Sequence, residues 1–286
     1  MQTERPEDFN LLAALASHAD RTVENSVLPV FFPNLLGRMA QIGSGVLLRI
    51  GTEHFVLTAS HVFDDIGTYG IGLGSPEQGH RIDAVGGTRF SKARGSSGTH
   101  QDDPIDAAVL HVGSPLTEAQ RSVAVTLDNL DIDPVDQHRD MYATIGYRSR
   151  ATKIRGGKAR VSPEWRATRE VVDDYAARGF DRSWQLAVRY AELEANGKSW
   201  RPFPKPEGMS GGAIVRFAGL STPSQVLLVQ SPKPLLSAVT VGHRKGEGKH
   251  RPAVLWGTRV MVHLALIREY LPQTPGLEPW LGPAPA

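Results

Sequence analysis

Short β-rich runs separated by turn residues recur along most of this chain, and that rhythm restricts its fold more than any other feature. Residues 43–50 and 55–59, Gly-Ser-Gly-Val-Leu-Leu-Arg-Ile and Phe-Val-Leu-Thr-Ala, flank a Gly51-Thr52 turn, the pattern of an antiparallel hairpin. Further strands are predicted at 70–73, 82–85, after Asp106, and at 141–147, 184–192, 213–217, 226–230, 237–241 and 253–260. Helical spacing is concentrated at the two ends. Phe9, Leu12, Leu15 and Ala16 share one side of a predicted helix over 6–19, and a second helix is expected over 262–270; residues 169–178 also admit a helix. Strands at hairpin spacing with terminal helices predict an all-β barrel or sandwich, and they exclude an alternating β/α chain.

Composition narrows the chemistry. The 286 residues include no cysteine, which removes disulfides, thiolate nucleophiles and cysteine-based metal sites together. A 40% hydrophobic share with 22% charged residues and a net charge of +2 is that of an ordinary globular protein, so charge alone names no partner. The acidic start, with Glu4, Glu7 and Asp8, does not read as a signal peptide, and no run reaches the ~18 apolar residues of a membrane helix. A soluble cytoplasmic protein is expected, with no membrane partner. The basic stretch 243–251 reads as a solvated loop; its glycines and lack of interleaved aromatics make nucleic acid an unlikely ligand. His243, Glu247 and His250 make a poor metal set, and neither a metal nor a cofactor is expected.

Gly208-Met209-Ser210-Gly211-Gly212 sets a serine among glycines ahead of the apolar run Ala213-Ile214-Val215, which suggests a hydroxyl on a tight turn where backbone N–H groups converge. His61 sits at the end of the hairpin's second strand, directly after Thr58-Ala59-Ser60. Asp106 stands before the apolar Ala107-Ala108-Val109-Leu110, and is preferred to Asp102 and Asp103 for that reason. The order His, Asp, Ser is one of the orders in which a catalytic triad is built. The same serine turn satisfies the elbow of α/β-hydrolases, but that fold needs an acid and then a histidine after the serine. No aspartate follows Asp181, and the residues after Ser210 are strand-like, so an esterase is the weaker reading.

These three motifs resemble those of trypsin-like (chymotrypsin-fold) serine proteases: Thr-Ala-Ala-His, Asp-Ile-Ala-Leu-Leu and Gly-Asp-Ser-Gly-Gly-Pro. The likeness spans residues 40–270 and is nearest to cysteine-free bacterial trypsin-like peptidases. It implies a double six-stranded antiparallel β-barrel over 28–271, with its lobe boundary near 120–140. A helical extension over 1–27 and a Pro-rich tail over 272–286 flank it. By the same resemblance, His61 is a general base, Asp106 its orienting acid and Ser210 the nucleophile. The N–H groups of Gly208 and Ser210 would form the oxyanion hole, and Thr240, Val241 and Gly242 would bind substrate. A protein or peptide substrate and a regulatory partner protein are implied; a silent binding module on the same fold is the alternative. Met209 stands where the family usually carries an aspartate that pairs with a new N-terminus, so the turn is expected to form without such processing. Counting back from Ser210 puts the base of the specificity pocket near Pro204 and Lys205, with no trypsin-like carboxylate there.

Overall fold

The structure is a computed structural model, and it describes residues 20–33, 39–64, 72–74, 81–83, 87–113, 116–132, 140–149, 153–155, 158–160, 163–172, 175–190, 193–196, 199–202, 205–247 and 252–274. The helix expected over 6–19 and residues 275–286 of the tail lie outside that set. A short helix α1 (Thr22–Ser26) leads into β1 (Val27–Pro33), β2 (Met39–Ile50) and β3 (Glu53–Thr58), then a 3-10 turn at Ser60–Phe63. The strands β4 (Gly72–Gly74), β5 (Arg81–Asp83), β6 (Thr88–Phe90) and β7 (Ala108–His111) complete a first antiparallel sheet in the order β5-β4-β1-β2-β3-β7-β6. Its β2–β3 hairpin closes at Ile50↔Glu53 around Gly51-Thr52, as the sequence predicts.

A helix α2 (Glu118–Ser122) precedes β8 (Met141–Gly146), followed by the small ribbon β9 (Lys153–Arg155) and β10 (Lys158–Arg160). Next come β11 (Glu164–Arg169), the single turn α3 (Tyr175–Arg178), β12 (Gln185–Arg189) and a second ribbon, β13 (Leu193–Asn196) with β14 (Ser199–Pro202). After the serine turn follow β15 (Ala213–Phe217), α4 (Pro223–Leu228), β16 (Leu235–Arg244), β17 (Val254–Arg259) and α5 (Val260–Tyr270). The second sheet runs β11-β8-β15-β16-β17-β12, again antiparallel. Two antiparallel sheets with few helices agree with a chymotrypsin-like arrangement; the first carries seven strands where six are expected.

One apolar core joins both sheets. Leu48, Phe55, Leu57 and Val109 of the first meet Ile145, Val215, Phe217 and Val239 of the second, with Leu264 and Ile267 of α5 packed on both. Burying side chains of that size stabilises the fold by ~1.5–3 kcal/mol each. The alternation inward and outward along β2 and β3 aims one face of the first sheet at this core and the other at a separate cluster around Leu47, Val56 and Leu110. The fully buried His263 of α5 donates from Nε2 to the Thr58 carbonyl at 3.1 Å, tying the last helix to the end of β3.

Four local expectations are corrected. Residues 226–230 do not form a strand, because Thr222 and Gln225 cap each other in a capping box and Pro223 occupies the first helical turn, starting α4. The acid-rich sequence of 127–140 predicts a solvated loop, yet Asp131 and Asp140 are buried: both grip Arg216 of β15, at 2.5 and 2.8 Å. A buried guanidinium needs that compensation. His243 and Arg244 belong to β16 and not to a loop. Finally, the strand carrying the histidine ends at Thr58, and Ser60–Phe63 turn as a 3-10 helix.

Candidate active site

The histidine and aspartate are delivered by neighbouring strands. β3 pairs with β7 from Phe55↔His111 to Thr58↔Ala108, so the residues after Thr58 and before Ala108 are brought side by side. Ser60 N–H donates to the Asp106 carbonyl at 3.2 Å, and Ser60 Oγ to the Ala107 carbonyl at 2.7 Å. Across this clamp, His61 Nδ1 donates to Asp106 Oδ2 at 2.6 Å while the His61 backbone N–H donates to Oδ1 at 2.9 Å. Both carboxylate oxygens are thereby used, which fixes the ring and leaves its Nε2 as the outward atom. Asp106 lies in the left-handed region at φ 53, a strained conformation for a non-glycine residue. Asp103 instead bonds Ser91 Oγ at 2.5 Å and the Ile105 N–H at 3.0 Å, so it is not the partner of His61.

The serine turn is pressed onto β3 and its other neighbour, β2. Gly211 has φ +85, and a Cβ there would overlap the Ser44 carbonyl oxygen and Thr58 Oγ1; only glycine fits. Ser44 N–H donates to the Ser210 carbonyl at 2.7 Å and Ser44 Oγ to the Gly208 carbonyl at 3.0 Å, while Thr58 Oγ1 donates to the Ser44 carbonyl at 2.8 Å. The turn therefore rests on β2 and β3, and β3 leads directly into His61. Met209 points the other way, 1% exposed, into the apolar cluster of Tyr142, Leu186, Val188, Ile214 and Leu255.

Hydrogen bonding within the turn is selective. Met209 N–H donates to the Pro206 carbonyl, Gly211 N–H to Thr240 and Gly212 N–H to Met209, at 3.0, 2.7 and 2.8 Å. Among the described residues the N–H groups of Gly208 and Ser210 make no hydrogen bond. Two uncommitted donors flanking a serine are what stabilisation of an oxyanion requires. Ser210 Oγ itself donates to the Val241 carbonyl at 3.2 Å.

That carbonyl is exposed to the serine by an irregularity. β16 pairs Thr240 with Gly257 and Gly242 with Trp256 of β17, which leaves Val241 opposite no residue. Thr240 and Gly242 line a cavity of about 320 Å³ beside Ser210, together with Lys205, Glu207, His243, Lys245 and Leu255. The predicted substrate strand thus borders the cavity, and Lys205, reckoned at the pocket base from the sequence, is in its wall. Pro204 and His250 lie outside the described residues.

Ser44, Lys245 and Leu255 were not singled out from the sequence. The Gly43-Ser44-Gly45 run carried a signal, since a serine between glycines inside a strand marks a close backbone approach: a Cβ at Gly43 would come within 3.1 Å of the Ser210 carbonyl oxygen. Beneath the site, burial depresses the His263 pKa from 6.5 to about 4, only partly opposed by its bond to Thr58, so the imidazole is neutral near pH 7. Among the described residues no group of His, Asp and Glu side chains could hold a metal ion, and no helix is long and apolar enough to cross a membrane.

No protein-family model matches the chain, and no curated protein matches it in sequence. Solved structures do: that of GrC, granzyme C, a chymotrypsin-fold serine protease, superposes with a TM-score of 0.53 and 13% identity, covering 90% of this chain and 98% of its own. At that identity the likeness is one of fold. The protein has a trypsin-like fold whose two antiparallel sheets meet at the serine turn.

Proposed function

We propose that the protein is a serine endopeptidase. The observation that carries this reading is the convergence, around β3 and its two neighbours β2 and β7, of the doubly bonded His61–Asp106 pair and a serine turn with free N–H groups at Gly208 and Ser210. His61 Nε2 takes the Ser210 Oγ proton as Oγ attacks the peptide carbonyl, and Asp106 steadies the imidazolium. The oxyanion is held by the two N–H groups. Collapse breaks the C–N bond, the amine leaves with the proton from His61, and water then hydrolyses the acyl-enzyme by the same route. The full-length chain acts without N-terminal cleavage, because the apolar Met209 anchor stands where an ion-pair latch would otherwise hold the turn. Activity that appears only after cleavage between residues 25 and 45 would overturn that part. Cytoplasmic residence and control by a partner protein complete the reading.

The test is hydrolysis of a mixed peptide library by the purified chain, read by mass spectrometry, with Ser210→Ala as control. New termini that vanish in the control support the reading. The Ser210 Oγ bond to the Val241 carbonyl favours a second one, a latent or silent binding module, because the hydroxyl must leave that carbonyl before it can give its proton to His61. An absence of cleavage from both chains would favour it.

A further inference from the structure

The charges around the cavity beside Ser210 have a direction. Its lining residues include two lysines, Lys205 and Lys245, and His243 against a single acidic residue, Glu207. Neither lysine is in an ion pair or hydrogen bond among the described residues, so both charges remain available to a ligand. The His243 ring is held at the wall by an edge contact with Tyr190, 5.0 Å between centroids. Thr240 adds a buried hydroxyl with no hydrogen-bond partner among the described residues. Leu255 supplies an apolar surface for methylene groups.

We infer that this cavity takes an acidic side chain, so that the preferred substrates carry Glu or Asp on the acyl side of the cleaved bond. The inference rests on the reading of Ser210 as nucleophile. A carboxylate entering the cavity meets two cations and a free hydroxyl donor, which replace the water it gives up. A Lys or Arg side chain meets two like charges and only Glu207 in compensation, and like-charge juxtaposition is how a site rejects a wrong ligand. The volume, about 320 Å³, accommodates either, so charge and not size makes the choice.

The experiment uses the full-length Ser210→Ala chain, which cannot turn substrate over, and fluorescence anisotropy with N-acylated, amidated peptides differing only in one residue: Glu, Asp, Leu or Lys. The Glu peptide is expected to bind about tenfold more tightly than the Lys peptide at low salt, with the gap narrowing at ~1 M salt. Lys205→Gln with Lys245→Gln should abolish the gap, and Lys205→Glu with Lys245→Glu should invert it. Equal affinities, tighter binding of the Lys peptide, or binding of neither overturns the inference. Fluorophosphonate labelling of the unmutated chain separates the two levels. A labelled chain without charge preference refutes the cavity assignment and leaves the serine chemistry standing. An unlabelled chain that still prefers Glu refutes the hydrolase and keeps the cavity as a binding site.

Discussion

The first sheet holds two histidine–aspartate pairs of nearly the same construction. His61 Nδ1 bonds Asp106 at 2.6 Å and His100 Nδ1 bonds Asp64 at 2.6 Å; in each the histidine's own backbone N–H donates to the same carboxylate. They differ in where the second ring nitrogen goes. The His61 side chain is 37% exposed, on the strand ends that seat the serine turn, whereas that of His100 is 0% exposed. Its Nε2 is buried with no hydrogen-bond partner among the described residues, and its ring packs 4.5 Å from that of Phe90. A carboxylate orients an imidazole equally well in both settings, but a proton can pass only to a ring that another group can approach, and of the two rings only that of His61 reaches the surface. Under the proposed mechanism the proton transfer falls to His61, and His100 is left to hold the loop that runs from Ser91 to Asp106.

The strongest way to break that assignment is kinetic. On a cleaved peptide, His61→Ala or Asp106→Asn should lower kcat/KM by ~10³–10⁴, while Asp64→Asn and His100→Phe should change it only a few-fold once the folded fraction is matched. A loss of similar size at His100 would erase the distinction. Stability should rank the pairs in the opposite order. His100→Ala takes the imidazole from the Asp64 carboxylate and empties a buried site, and is expected to cost about 3 kcal/mol in denaturant unfolding, against under about 1 kcal/mol for His61→Ala.

A third histidine sharpens the contrast through pH. Because the folded pKa of His263 is about 4 against 6.5 when unfolded, the unfolded state binds the proton first. The stability this neutral imidazole supports is complete above pH 6.5 and is lost as pH falls from 6.5 towards 4, by roughly 3 kcal/mol in total. His263→Gln should flatten that part of the stability curve, measured by urea unfolding across pH 4–8. The smallest effect is expected from His111, whose ring is partly exposed and bonds the half-exposed Glu53 at 2.7 Å: His111→Gln should shift stability by under about 1 kcal/mol.

How much of this could be read in the sequence depended on range. The juxtaposition of His61 with Asp106 and the tight turn at Ser210 were legible because each stands in a local pattern, the edge of a strand or a run of glycines. The β2–β3 hairpin and the strands at 213–217 and 237–241 were legible for the same reason, period-two or continuous apolar runs bounded by turns. What was lost depends on distant partners. Asp131 and Asp140 look solvated in a run of acids, and only the fold brings Arg216 between them, with Ser237 Oγ on Asp131 at 2.7 Å. Ser44 reads as one strand residue until the turn at 208–211 is laid across it. His100 and Asp64 give no local sign of pairing. Residues 226–230, Val-Leu-Leu-Val-Gln, look strand-like by themselves, and the helix start that overrides them lies just before, at Thr222-Pro223.

The most direct measurement is the rate at which a fluorophosphonate labels Ser210, followed by mass spectrometry of the modified peptide. Labelling of the full-length chain should fall on Ser210, be absent in Ser210→Ala, slow by at least ~10²-fold in His61→Ala, and persist at near the original rate in His100→Phe. An unlabelled Ser210, or labelling that does not depend on His61, would contradict the account.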